Sequence, residues 1–280
     1  MTDIISVEQA NTLSGLFNAR VQRTPGSVAY RYYDCYSEKW REYTWKQMSL
    51  SVLRWQTALY NESFAPGDRV ATMLRNCPEY VMFEQAALAL GLVIVPFYTE
   101  DRADNVAYML SDAGVKLLLV EKTENWQSLS DACCQVDGLR RIVVMGASRE
   151  DHQRQVDHDF VVSLDNWLPK QENVVRQVSS SPHSLATIIY TSGTTGKPKG
   201  VMLSHGNIVS NAKASSERLP INKGNARCLS FLPVCHVYER MMIYLYMYNG
   251  VSIYYAEAMD KITDNLKEAS PHVMTAVPRL

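Results

Sequence analysis

Short apolar runs alternate with amphipathic helical stretches along most of this chain, and that rhythm restricts the fold more than any other feature. Residues 69–74 read as a strand, 78–90 as a helix opened by Pro78, and 92–96 as a strand. A helix over 104–113 stops at Gly114, and apolar strands follow at 116–120 and 141–145. Runs that are apolar along their whole length suit strands buried on both faces, and strands joined by crossover helices lie parallel. Ahead of them, 45–61 reads as a helix. Thr44 and Gln47 stand in capping-box relation, and Trp45, Met48, Val52, Trp55 and Leu59 recur at alternating spacings of three and four. The rhythm resumes with strand 185–191, helix 207–219, strand 228–232, helix 238–248, strand 251–255, helix 261–269 and strand 272–276. The expected class is α/β, with layered, mostly parallel sheets flanked by helices.

The interruption lies at 146–183. It is polar with little periodicity, apart from a short apolar run at 160–164, and Ser179-Ser180-Ser181-Pro182 closes it like a linker. A boundary is expected there, with one α/β subdomain over 1–183 and a second over 184–280. The chain stops at Val277-Pro278-Arg279-Leu280, just after a strand in an unfinished alternation, which reads as a truncation. The longest greasy stretch, 81–98, contains Glu84 and Gln85 and is broken by Gly91 and Pro96, so a buried helix followed by a buried strand is expected, not a transmembrane segment. The opening residues carry acidic and polar groups where a signal peptide needs an apolar region. With 28 basic against 29 acidic side chains, the chain has no general attraction to nucleic acid or anionic membrane. None of the six cysteines forms a C-x-x-C pair and no histidines pair at metal-ligand spacing, so reduced thiols in a cytoplasmic protein without a structural metal are expected.

The segment richest in chemistry is Tyr190-Thr191-Ser192-Gly193-Thr194-Thr195-Gly196-Lys197-Pro198-Lys199-Gly200, directly after an apolar strand. Its glycines let the backbone turn sharply and bring amides to a ligand. Hydroxyls from Thr191, Ser192, Thr194 and Thr195, two lysines and the absence of any carboxylate suit a polyanion, of which a nucleotide triphosphate is the natural example. The Walker A loop does not fit. It needs four residues between its glycines and a Ser or Thr after its lysine. Here two residues separate Gly193 from Gly196, and Lys197 precedes Pro198, which disfavours helical geometry at Lys197.

The string over 190–205, which continues through Val201-Met202-Leu203-Ser204, closely resembles the AMP-binding signature of the adenylate-forming superfamily, to which acyl-CoA synthetases, luciferases and peptide-synthetase adenylation domains belong. The resemblance implies a loop that grips the pyrophosphate end of ATP, carried by Thr191, Ser192, Gly193, Thr194, Thr195, Gly196 and Lys199, with Lys197 beside them. A second match is Leu232-Pro233-Val234-Cys235-His236-Val237-Tyr238-Glu239-Arg240. Family members carry such an element after a strand, with its histidine or an aromatic near the acyl site, which implies His236 and Tyr238 as acyl-pocket residues. Taken alone, His236 reads as a structural histidine, Glu239 and Arg240 as a surface or structural ion pair, and Tyr244, Tyr246, Tyr248, Tyr254 and Tyr255 as core. The His-Val-Tyr-Glu-Arg variant, with Gly250-Val251-Ser252-Ile253-Tyr254-Tyr255-Ala256-Glu257 and the final Val-Pro-Arg-Leu, is most similar to long-chain fatty acyl-CoA synthetases. The likeness is specific over 185–280 and diffuse over about 12–120.

That resemblance implies a two-step ligase. A fatty-acid carboxylate attacks the α-phosphorus of ATP, with magnesium on the phosphates, and coenzyme A then displaces AMP to give a thioester. The acid that binds magnesium, the aspartate for the ribose, the hinge and the lysine of the mobile C-terminal domain ordinarily lie beyond the point where this chain stops. No catalytic residue is therefore assigned within it, and turnover is not expected of these 280 residues alone. Peripheral membrane contact is compatible with a greasy substrate, although no amphipathic basic helix supports it. Two other classes stay open: adenylation of an aryl or amino acid, and a non-catalytic nucleotide-binding relative.

Overall fold

In the computed structural model the described residues are 5, 10–34, 37–146, 160–171, 175, 177–191, 196–218 and 226–277. Seven strands form the larger sheet: β3 (Arg69–Met73), β4 (Val93–Pro96), β5 (Val115–Lys122), β6 (Arg141–Gly146), β7 (Val161–Ser163), β8 (Leu185–Thr191) and β9 (Lys199–Ser204). Their order is β7-β6-β5-β3-β4-β8-β9, and every pair is parallel except the hairpin β8–β9. The central strands are buried on both faces, with Val70, Ile94 and Leu117–Val120 inaccessible, as continuous apolar runs require. Crossover helices α3 (Pro78–Ala89), α4 (Ala103–Ala113) and α5 (Thr123–Cys133) cover them. Proline opens α3, where its missing N–H costs nothing. Gly114 ends α4 in the left-handed region, φ +59°, with its N–H bonded back to Leu110 and Ser111.

The smaller sheet has the order β12-β10-β11-β1-β2, built from β1 (Val28–Asp34), β2 (Lys39–Thr44), β10 (Arg227–Ser230), β11 (Ser252–Tyr255) and β12 (Val273–Met274). It too is parallel except at one edge, the β1–β2 pair. The helices α1 (Leu13–Arg23), α2 (Trp45–Asn61), α7 (His205–Ser216), α8 (Val237–Asn249) and α9 (Ile262–Ala269), with the short α6 (Leu164–Trp167), complete the fold. The Thr44–Gln47 capping box forms as expected at the start of α2. One hydrophobic core takes side chains from both sheets, and α3 and α8 run through it. Within it Tyr30 of β1 stacks on Tyr255 of β11 at 5.8 Å. The five tyrosines 244, 246, 248, 254 and 255 are all buried, so they are packing residues.

Neither sheet keeps to one side of residue 183. The strands β8 and β9, from beyond it, extend the larger sheet, and β1 and β2, from before it, extend the smaller one. The stretch 81–98 is indeed a buried helix and strand, and no described helix is long and apolar enough to cross a membrane. The described cysteines, 77, 133, 134, 228 and 235, are free thiols.

Candidate active site

Open α/β sheets bind ligands beyond the carboxyl ends of their strands. At that end of β8, Thr191 pairs with Lys199 and Tyr190 with Gly200, so the hydroxyl-rich segment joins the two strands of the β8–β9 hairpin in sequence. Ser192, Gly193, Thr194 and Thr195 lie outside the described residues. The rest of the segment is placed. Gly196 holds φ +90°, a conformation that favours glycine. Gly200 is demanded by packing, because a Cβ there would stand 2.8 Å from Ile188 Cγ2 and 3.3 Å from the Tyr190 ring. Lys197 leads no helix, as Pro198 requires; its Nζ lies 5.0 Å from the Tyr108 ring centroid on α4, a cation–π contact. The Tyr190 hydroxyl donates to Asp112 Oδ2 at 2.6 Å, and burial, reinforced by that carboxylate, holds its proton firmly. Between the hairpin and α4 lies a cleft of about 220 Å³ lined by Asp101, Asn105, Met109, Tyr190, Thr191, Gly196 and Pro198.

The second motif arrives from the smaller sheet. After β10 the chain turns at Pro233, whose carbonyl accepts the His236 N–H at 3.0 Å, and His236 then takes the N-cap position of α8 without capping it through its side chain. The imidazole is exposed, its ring centroid 6.5 Å from that of Tyr98. Val237 and Tyr238 follow on the first turn, about half exposed. Asp101 joins the two motifs. It lines the cleft beside the hairpin, its Oδ2 accepts the Tyr98 N–H at 3.3 Å, and its carboxyl is raised on balance by burial, with that bond and the nearby His236 pulling the other way.

Behind this surface lies a polar network that corrects one expectation. Glu239 and Arg240 are neither exposed nor paired with each other; each is 1% accessible. Arg240 makes its ion pair with Glu84 of α3, and its Nη1 donates to Thr187 Oγ1 of β8 at 2.7 Å. Thr187 in turn donates to the Ile94 carbonyl of β4 at 2.7 Å. The Tyr244 hydroxyl donates to Glu84 Oε2 at 2.8 Å and accepts from Gln85 Nε2 at 2.9 Å. The helix that begins at His236 is thereby tied to the strand that ends at the hairpin turn. Glu239 instead accepts from Ser230 Oγ at 2.5 Å, and burial pushes its carboxyl up to about 7. His205, the last residue of the signature, is a structural group. It accepts the Leu13 N–H on Nδ1 at 3.2 Å, and burial, helped by Arg240, lowers it to about 4.

A family model described as AMP-binding enzyme matches residues 17–280. The chain belongs to the AMP-binding enzyme family. This AMP-binding chain is 31% identical over 236 residues to long-chain-fatty-acid–CoA ligase 1 of Cavia porcellus, covering 80% of the chain and 34% of that relative. It is 31% identical over 220 residues to the peroxisomal long chain acyl-CoA synthetase 7 of Arabidopsis thaliana, covering 76% and 31%. It therefore spans about a third of the length of these curated relatives. Among solved structures, the Mycobacterium tuberculosis fatty acyl CoA synthetase superposes with a TM-score of 0.77 at 23% identity, over 97% of this chain and 50% of that one. The anthranilate CoA ligase AuaEII, bound to anthranoyl-AMP, gives 0.81 at 19% identity over 94% and 49%. At these identities the structures attest the fold of the AMP-binding family and nothing finer. Tyr98, Asp101 and Asn105 are the site residues that the sequence did not mark, since only the third dimension sets them beside the hairpin and His236.

Proposed function

We propose that this chain supplies the phosphate loop and part of the acyl-site wall of a ligase that activates a long-chain fatty acid to its acyl adenylate and then to acyl-CoA. The observation that carries the reading is the meeting of the two motifs across Tyr98 and Asp101, at the carboxyl ends of β4 and β8. The names of the relatives at 31% identity support the acid class. In this reading the hairpin turn receives the β- and γ-phosphates, with Thr191, Ser192, Gly193, Thr194, Thr195, Gly196, Lys197 and Lys199 as donors and charge. A carboxylate is a weak nucleophile. The work therefore falls to in-line placement against the α-phosphorus and to neutralising the departing pyrophosphate, which hydroxyls, amides and lysines preorganised in a turn can do. His236 and Tyr238 face the acyl end.

Among the described residues Asp101 is the one carboxylate lining the cleft, and they hold no cluster of three metal-ligating side chains. That fits magnesium, which is ordinarily held by substrate phosphates, water and one or two carboxylates. When bound it spreads the charge of the phosphates. Coenzyme A enters as the second substrate.

The test is pyrophosphate release by the product of the complete reading frame with ATP, magnesium and acids from acetate to stearate, with benzoate-type and amino acids alongside. Release should peak with long acyl chains and fall by roughly a hundredfold in Thr194→Ala/Lys199→Ala. Release with aryl or amino acids alone would remove the fatty-acid assignment, and silence with every acid would remove the ligase.

A further inference from the structure

Asn76 lies in the loop after β3 of the larger sheet, and its side chain is bonded at every polar position. Its Nδ2 donates to the Leu232 carbonyl at 2.8 Å and to Ser230 Oγ at 3.0 Å, and its Oδ1 accepts the Val234 N–H at 3.0 Å. The orientation of the amide is fixed by its partners, because a backbone carbonyl can only accept and a backbone N–H can only donate. Two donors and an acceptor on one short planar group are what asparagine alone supplies at this length. The bonded groups flank Pro233, which has no N–H of its own to contribute, and the Pro233 carbonyl then takes the His236 N–H at 3.0 Å. Ser230 passes the connection on by donating to Glu239 Oε1 at 2.5 Å, on the first turn of α8.

All of Asn76's partners belong to the end of the smaller sheet, whereas Asn76 itself extends from the larger one. Tyr98, opposite His236, also extends from the larger sheet, on the loop after β4. The separation between His236 and Tyr98 is therefore a distance between sheets, and Asn76 is a hydrogen-bonded strut that spans the same gap at the turn ahead of His236. We propose that Asn76 is a positioning residue for the acyl end of the site, holding the turn 232–236 so that His236 stands against Tyr98 and Asp101. It does not touch reacting atoms in this scheme. The consequence for substrate binding rests on the ligase reading above, while the placement of His236 does not.

Asn76→Asp keeps the size and the acceptor for Val234 but loses both donors, and it turns a carboxylate oxygen on the Leu232 carbonyl. Ser230→Ala removes one of Asn76's bonds together with the Ser230–Glu239 bond, and leaves those to Leu232 and Val234. In the chain labelled with 13C-histidine, both variants should shift the ring resonances of His236 and leave those of His183 and His272 in place, with the larger shift in Asn76→Asp. In the turnover assay, Asn76→Asp should raise KM for the fatty acid about tenfold and alter KM for ATP less than twofold, since small misplacements at a site cost one to two powers of ten. Unmoved His236 resonances in folded variants would overturn the proposal. So would a parallel rise of both KM values, or loss of the fold in both variants, which would make Asn76 a plain structural residue. If no acid is turned over by the unaltered protein, the ligase reading fails and the resonances of His236 decide this one by themselves.

Discussion

Glu239 and His205 are both buried and both depart from their ordinary titration, in opposite senses. Glu239 moves from 4.5 up to about 7, chiefly through burial, with the Ser230 hydroxyl pulling the other way. The native state therefore takes up a proton that the unfolded chain has released, and stability from this group falls as pH climbs from about 4.5 to 7. His205 moves from 6.5 down to about 4, so its contribution falls as pH drops through that window. Each shift corresponds to ~3 kcal/mol at most. Between pH 4.5 and 6.5 the two offset each other. Glu239→Gln keeps an acceptor for Ser230 and removes one side of the balance. Its stability relative to the unaltered chain should rise by roughly 3 kcal/mol from pH 4.5 to 8, read from urea unfolding at each pH. A constant difference across that range would show that Glu239 keeps an ordinary carboxyl. At this scale the hydroxyls and lysines proposed for the phosphates can be named from sequence because they stand in consecutive residues. Asn76, Tyr98 and Asp101 cannot, because each gains its meaning from partners brought in by another element.

Among the elements, those with a strong local signal came through from sequence to structure with little change. Helix α2 spans the expected residues because its capping box and its apolar stripe agree, and β8 matches because its run is apolar and followed at once by a turn. Strands β2 and β9 went unread because they lack such signals, whereas α1 went unread although Thr12 caps it and Leu13, Leu16 and Phe17 form its buried stripe. Strand β2, Lys-Trp-Arg-Glu-Tyr-Thr, is a polar edge that exists because β1 pairs with it. Strand β9 leaves four of its six residues exposed and takes its form from pairing with β8. The expectation of ion pairing between Glu239 and Arg240 failed for a geometric reason. Adjacent residues on a helix point in different directions, so Arg240 reaches α3 and β8 while Glu239 reaches β10. That geometry makes the α3–α8 contact costly to unbalance. Glu84→Gln leaves the Arg240 guanidinium buried without its counter-charge and should destabilise the fold by about 3–5 kcal/mol, whereas Glu84→Gln with Arg240→Met should lose clearly less than the two single changes added together. Additive losses in urea unfolding would mean that the two side chains do not depend on each other.

Across the whole molecule, the two sheets exchange strands over the stretch that sequence composition marks as a boundary. The smaller sheet receives β1 and β2 from the first part of the chain, with Tyr30 in register beside Ile253 and its ring on Tyr255. The larger receives β8 from the second part, with Thr187 in register beside Ile94. A polar segment such as 146–183, whose described residues contribute only the edge strand β7 to the sheets, carries no information about which sheet the chain joins after it. We therefore predict that residues 184–280 do not fold as a unit. Alone, they would expose the edge of β11 that β1 pairs with, strip the β8–β9 hairpin from β4, and leave Arg240 without Glu84. A two-stranded hairpin is marginal by itself, and an apolar helix such as α8 needs the α3 surface to bury against. Expressed separately, 184–280 should show no cooperative urea or thermal transition and should bind apolar dyes. Mixing it with refolding 1–183 should restore a cooperative transition, because every missing contact named above is with that part. A sharp two-state transition from 184–280 by itself, with the circular dichroism of an ordered α/β fold, would show instead that the exchanged strands are accessory and that each part carries its own core.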